Sequence, residues 1–127
     1  MLEAQIPPSD TREGIHRTMR PFIPFKRWSL KPGRQEAELI ALIQQEIVPV
    51  YRKLPGCLRI GLLRIEGTAS YLTTQHWESR AARETSLASP AYQGWLDAYQ
   101  PALERWDDLM SFEDEWDTED LLDENVQ

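Results

Sequence analysis

The chain has 127 residues, 41% of them hydrophobic, and a formal net charge of −7. That length fits one domain with a short extension at each end, and the acidic balance argues against general nucleic-acid binding. No apolar run reaches the ~18 residues of a membrane span, the start lacks the apolar stretch of a signal peptide, and a single cysteine, Cys57, excludes an internal disulfide and fits a reducing cytoplasm.

The charge is uneven. Seven of the 14 Lys and Arg residues lie between Arg12 and Arg34, and ten of the 21 acids lie between Asp107 and Glu124. Such runs are solvated flanks or partner-docking segments. Residues 1–21 carry Pro7-Pro8 and no clear period, so they are expected to form an arm. The body is then 22–117, and 118–127 is an acidic tail.

The first strand is expected over 22–30. Side chains alternate along a strand, so Lys26, Trp28 and Leu30 share a face and Phe25 lies opposite. Pro24 cannot donate to a ladder, so the regular part is expected from Phe25 onward. Lys31-Pro32-Gly33 reads as a turn. A helix follows over 34–48, with Ala37, Ile40, Ile43 and Ile47 at helical spacing and Leu39 and Leu42 widening the stripe. Pro49 is expected to end or kink it, and Pro55-Gly56 turns the chain.

Residues 57–66 form a second, largely apolar strand, where Gly61 permits a bulge or a close neighbour. The loop 66–69 returns the chain into a third strand over 70–77, and so short a connection forces antiparallel pairing. Ser79 is placed to N-cap a helix over 80–88. Ser89-Pro90 is a second start signal, with Ser as cap and Pro in the first turn. Tyr92, Trp95, Leu96 and Tyr99 form the stripe of that next helix, which Pro101 is expected to interrupt. A last strand is expected over 109–116, with Met110, Phe112 and Trp116 on one face.

The order β-α-β-β-α-α-β predicts an α+β fold of ferredoxin-like plan, a four-stranded antiparallel sheet with helices on one face. The second strand has apolar residues on both faces, Leu58, Ile60 and Leu62 against Leu63 and Ile65, so the face without helices carries large apolar residues too. Burying it against a second copy predicts a homodimer.

Several pieces of this chain resemble the antibiotic biosynthesis monooxygenase (ABM) family. They are Lys31-Pro32-Gly33, the Leu54-Pro55-Gly56-Cys57 lead into the second strand, and His76-Trp77-Glu78-Ser79-Arg80 followed by Ser89-Pro90-Ala91-Tyr92. The resemblance spans Phe25–Trp116 and implies the dimeric α+β barrel, in which each subunit keeps a cleft between sheet and helices. It also implies one of several activities, because the family includes cofactor-independent monooxygenases, quinone-forming enzymes and haem-degrading enzymes. At the positions where the haem-degrading branch carries Asn, Trp and His, this chain has Lys26, Ser86 and Leu96. The resemblance therefore argues against haem degradation by that route, and no haem, flavin or metal cofactor is expected.

The candidate substrate-binding residues are Trp28, Tyr71, Trp77, Tyr92, Trp95 and Tyr99; each also reads as core, which is the commoner place for an aromatic stripe. His76 is a candidate base, although alternation turns it away from Trp77. Arg59 and Arg64, on opposite faces of the second strand, are candidates to hold an anion. No metal-ligand spacing and no Gly-rich phosphate loop stands out. Two functions follow. One is a cofactor-independent oxygenase acting on an electron-rich aromatic such as a hydroquinone or anthrone. The other is a non-catalytic dimeric module that binds a small apolar ligand or a protein. No nucleic acid or membrane is expected among the partners.

Overall fold

A computed structural model describes residues 20–122. The arm's Ile15, His16 and Met19 and the end of the acidic tail lie outside them. Four strands form the frame: β1 (Phe22–Leu30), β2 (Cys57–Arg64), β3 (Ser70–Trp77) and β4 (Met110–Glu119). They form one sheet in the order β2-β3-β1-β4, with every neighbouring pair antiparallel. The helices are α1 (Glu36–Leu42), α2 (Val48–Tyr51), α3 (Arg80–Ala88) and α4 (Ala91–Leu109). The α+β ferredoxin-like plan is therefore as expected.

The turn after β1 has Pro32 at its second position and Gly33 at its third, where φ is +82°, and it closes with an Arg34 N–H to Lys31 carbonyl bond of 3.1 Å. A left-handed third position suits glycine. At the start of α1, the Glu38 carboxylate accepts from the Gln35 backbone N–H at 2.8 Å, which satisfies a first-turn donor. The buried stripe of this helix is Leu39, Leu42, Ile43 and Ile47; Ile40 is exposed and Ala37 also faces outward. The expected stripe was thus rotated by part of a turn.

Pro49 does not end the helix. A π-helical segment, Ile43–Ile47, precedes α2, and Pro49 sits in the first turn of α2. A proline deprives the ladder of an N–H and crowds the preceding turn, and a wider turn relieves both. Pro101 is likewise carried inside α4, on its exposed side, where water can solvate the carbonyl left without a partner.

Pro24 is tolerated within β1 although β1 is a central strand. Pairing toward β3 skips Ile23 and Pro24, while pairing toward β4 continues through Pro24 and Asp117. The Ser79 hydroxyl caps α3 as expected, accepting from the Ala82 N–H at 3.0 Å. Ser89 does not cap α4 through its side chain. Its hydroxyl donates instead to the Ser86 carbonyl at 2.8 Å, closing the end of α3.

The largest departure is in β4. Opposite β1 the register slips between Arg27 and Trp28: Arg27 pairs with Asp114 and Trp28 with Phe112, so Glu113 is an extra residue. One extra residue reverses the alternation beyond it. Phe112 therefore packs edge-on against Trp28 on the helix side, with ring centroids 5.3 Å apart. Trp116 stacks on Phe25 on the other side, at 5.7 Å. The expected single face for Met110, Phe112 and Trp116 is split in two.

Two clusters fill the space between sheet and helices. One gathers Leu39, Ile43, Tyr71, Trp106 and Leu109; the other gathers Phe22, Leu54, Trp77 and Trp95. On the uncovered side Leu63 and Trp116 are 49% and 39% exposed, and each is large enough to matter. No helix among the described residues is long and apolar enough to cross a membrane.

Candidate functional site

The two clusters do not close completely on each other. An inner cavity of about 140 Å³ lies between the sheet and the helices, walled by Trp28, Ile43, Ile47, Tyr51, Tyr99 and Trp106. An outer cavity of about 210 Å³ adjoins it and is walled by Trp77, Leu87, Tyr92, Trp95 and Leu96. Lys26, Tyr51, Gln75, Tyr99 and Leu103 line both, so the two form one cleft.

Strand alternation supplies the floor. Lys26 and Trp28 project from β1, and Thr73, Gln75 and Trp77 from β3. The Trp28 indole donates to the Thr73 hydroxyl at 3.0 Å, which fixes the ring across the floor. The π-helical segment brings Ile43 and Ile47 to the wall, and α4 supplies Trp95, Tyr99, Leu103 and Trp106.

A chain of hydrogen bonds with a fixed direction crosses this floor. The Trp77 indole N–H donates to Gln75 Oε1 at 3.0 Å. An indole nitrogen can only donate, so the Gln75 amide cannot be turned the other way. Gln75 Nε2 must then donate to the Tyr51 hydroxyl oxygen, at 3.1 Å. Tyr51 accepts in that bond and keeps its own hydrogen to donate elsewhere. Burial, reinforced by the neighbouring Tyr99 phenol, pushes the Tyr51 pKa well up, so the hydrogen stays in place. The Tyr99 phenol is raised as well, again chiefly by burial.

The remaining polar groups of the cleft are also donors. The buried Arg83 Nε and Trp106 Nε1 have no hydrogen-bond partner among the described residues. Among the described residues, Lys26 and Arg83 are the charged ones that line the cleft, and no carboxylate lines either cavity. Glu115 stands opposite Lys26 across the strands, yet the ion pairs among the described residues do not include these two. An apolar cleft with leftover donors and two cations suits an electron-rich or anionic ligand.

The residues proposed from sequence fall in different places. Trp28 and Tyr99 line the inner cavity, and Trp77, Tyr92, Trp95 and Tyr99 the outer one. Tyr71 does not line the cleft. It is buried beneath α1, and its hydroxyl donates to Glu36 at 2.8 Å. Arg64 clamps the same carboxylate, with Nε at 2.7 Å and a second nitrogen at 2.5 Å. The hydrogen bonds from Arg64 and then Tyr71 hold the Glu36 pKa at about 2. Arg64 is thus a structural clamp and leaves no charge free for a ligand.

His76 lies on the uncovered side of the sheet, bonded to the Thr74 hydroxyl at 3.1 Å. Burial and then the charge of Arg59 lower its pKa. Both His76 and Arg59 face away from the cleft, so neither serves it as base or anion holder. Of the three positions where haem-degrading relatives carry functional groups, Lys26 and Leu96 line the cleft and Ser86 is buried in α3. Leucine cannot coordinate iron. Among the described residues no group of three His, Cys, Asp or Glu side chains is placed to hold a metal.

Sequence reasoning passed over Tyr51, Gln75, Arg83 and Trp106. Gln75 had a legible signal, since it stands two residues before Trp77 on the same strand face. Tyr51 had none, because a π-helical turn sets its direction.

A four-stranded antiparallel sheet roofed on one face by helices, with an aromatic cleft between, defines a ferredoxin-like α+β fold. The family model of the antibiotic biosynthesis monooxygenases matches residues 21–98, and the chain belongs to that family. Solved structures agree on the fold. SnoaB, a cofactor-independent oxygenase from Streptomyces nogalater, superposes with a TM-score of 0.57 at 21% identity, over 83% of this chain and 99% of its own. HapK from Hahella chejuensis gives 0.59 at 13% identity, over 80% and 93%. A protein of unknown function from Nitrosomonas europaea gives 0.55 at 20% identity, over 82% and 92%. No functionally curated protein matches the chain.

Proposed function

We propose that this protein is a cofactor-independent oxygenase acting on a small electron-rich aromatic, of the hydroquinone or anthrone type. The observation that carries the reading is the cleft itself, with aromatic and aliphatic walls and polar groups that are left to donate. Family membership and the fold shared with an oxygenase support it.

The chemistry follows from that lining. An anthrone or hydroquinone becomes reactive toward O₂ once it loses a proton, because the anion gives up an electron easily. A cation about 4 Å from the developing oxyanion contributes on the order of 4 kcal/mol at an effective dielectric near 20. That lowers the hydroxyl pKa by roughly three units. Lys26 supplies the charge, and the Tyr51 and Tyr99 hydroxyls supply donors. No lining residue among the described ones is a carboxylate or imidazole, so the proton leaves to solvent. The electron passes to O₂; a hydroquinone gives up a second electron and proton and leaves as the quinone with H₂O₂, whereas an anthrone radical joins superoxide at the ring carbon. Loss of water then leaves a carbonyl. For an anthrone, CH₂ and O₂ give C=O and H₂O. The walls exclude bulk water from the radical pair.

The same reading makes the protein a homodimer, with the uncovered sheet faces packed together and Leu63, Phe25 and Trp116 at the contact. It also places the protein in a reducing compartment, where Cys57, its thiol raised to about 11 chiefly by burial, is inert.

Oxygen uptake by the purified protein with an anthrone or a naphthohydroquinone tests the reading. Protein-dependent uptake above the spontaneous rate, reduced at least tenfold by Lys26→Met, is expected. Saturable binding of these compounds without turnover would replace the oxygenase with the binding module, which the absence of a lining acid or base favours.

A further inference from the structure

We infer that Arg83 is a specificity-determining residue, and that the ligand is an aromatic carrying a carboxylate, which Arg83 holds in the outer cavity. The inference rests on the cleft being a small-molecule site. It adds which class of aromatic enters.

Four observations converge on Arg83. It projects from α3 into the outer cavity, beside Trp95 and Leu87. Its Nε is buried and lacks a hydrogen-bond partner among the described residues. It forms no ion pair there either, whereas Arg27, Arg34, Arg64 and Arg105 each pair with a glutamate. No acid among the described residues lines the cavity.

A partly buried guanidinium without a counter-charge is costly in a chain that carries an excess of acids. Its planar fork matches a carboxylate, which it can hold through two parallel bonds. The position on the outer side matters as well. The inner cavity, with Lys26 at the junction and Trp28 and Trp106 as walls, takes the ring. The outer cavity then receives a substituent of that ring. A carboxylate seated against the guanidinium supplies the partner that Nε lacks.

Calorimetric titration with three matched probes, 1-naphthol, 1-hydroxy-2-naphthamide and 1-hydroxy-2-naphthoate, tests this at neutral pH. None requires turnover. The acid is expected to bind about 10- to 100-fold more tightly than the amide, the range of one charge-assisted bidentate contact. In Arg83→Gln that preference is expected to fall to within about threefold, and Arg83→Lys, which keeps the charge, is expected to retain part of it. Thermal melts of both variants check that they fold. Equal binding of acid and amide by the natural protein overturns the inference and leaves the cleft reading standing. A preference that survives Arg83→Gln but is lost in Lys26→Met also overturns it, moving the carboxylate to Lys26. If none of the three probes binds, the cleft reading falls with it.

Discussion

Trp77→Ala puts the core beneath the cleft to a quantitative test. Trp77 is 1% exposed and packs among Phe22, Leu54 and Trp95. Truncating a buried tryptophan costs about 3–5 kcal/mol through lost transfer energy and the void left behind. The variant also removes the indole N–H that fixes the Gln75 amide, whose Oε1 loses that donor. An unsatisfied acceptor adds about 1 kcal/mol, at the low end of its range because Gln75 is half-buried and cleft water can reach it. The total of about 4–6 kcal/mol is a large part of the ~5–15 kcal/mol that holds a typical domain together. Urea unfolding followed by circular dichroism measures it. With a slope of about 2 kcal/mol per M, the midpoint falls by about 2–3 M. Trp77→Phe keeps most of the ring contact and loses the indole N–H, so it is expected to cost about 1–2 kcal/mol. A Trp77→Ala midpoint close to the natural protein's, combined with lost ligand binding, would refute this and move Trp77 from core to binding surface.

Gly61→Ala brings a new methyl to 2.3 Å from the Thr74 hydroxyl, so urea unfolding should show a loss of about 1–3 kcal/mol. The double variant with Thr74→Ala should recover part of it; no recovery would show that the strain lies elsewhere. The Glu36 carboxyl, held at about 2 against an ordinary 4.5, binds protons more weakly folded than unfolded. Its contribution is therefore full above pH 4.5 and lost as pH falls toward 2, so the stability gap between the natural protein and Glu36→Gln should close across that window; a gap independent of pH would contradict the Arg64 clamp. Leu63→Asp, on the uncovered sheet face, should convert a dimer to a monomer by light scattering at micromolar concentration. A monomeric natural protein would dispose of the proposed dimer.

The strands and the sheet plan were legible because their cues are local. Short apolar runs, Pro-Gly turns and a four-residue hairpin loop leave few topologies. Ser79 was readable for the same reason, since a cap needs only a side chain and an amide three residues on. What escaped were features that depend on how two elements meet. The slip at Glu113 exists only in the pairing of β4 with β1, so nothing in the sequence of β4 alone moves Trp116 across the sheet. Pro24 breaks a strand rule that the gap in β3 pairing suspends. The π-helical turn before Pro49 is a compromise between a helix held by tertiary packing and a residue that cannot donate. The aromatic cleft candidates were found because they are rare and large. Lys26 and Arg83 became notable once the acids were seen to lie elsewhere.

The extra residue in β4 divides that strand into two independently addressed halves. Met110 and Phe112 speak to the cleft layer, and Asp114 and Trp116 to the uncovered layer. Substitutions at Phe112 and at Trp116 act on different layers, so under the proposed function ligand selectivity and self-association can change separately along a single edge strand. Deleting Glu113 would restore strict alternation while keeping the same strand order. Trp116 would stay opposite Phe25 on the uncovered side, because the residues beyond the slip keep their partners.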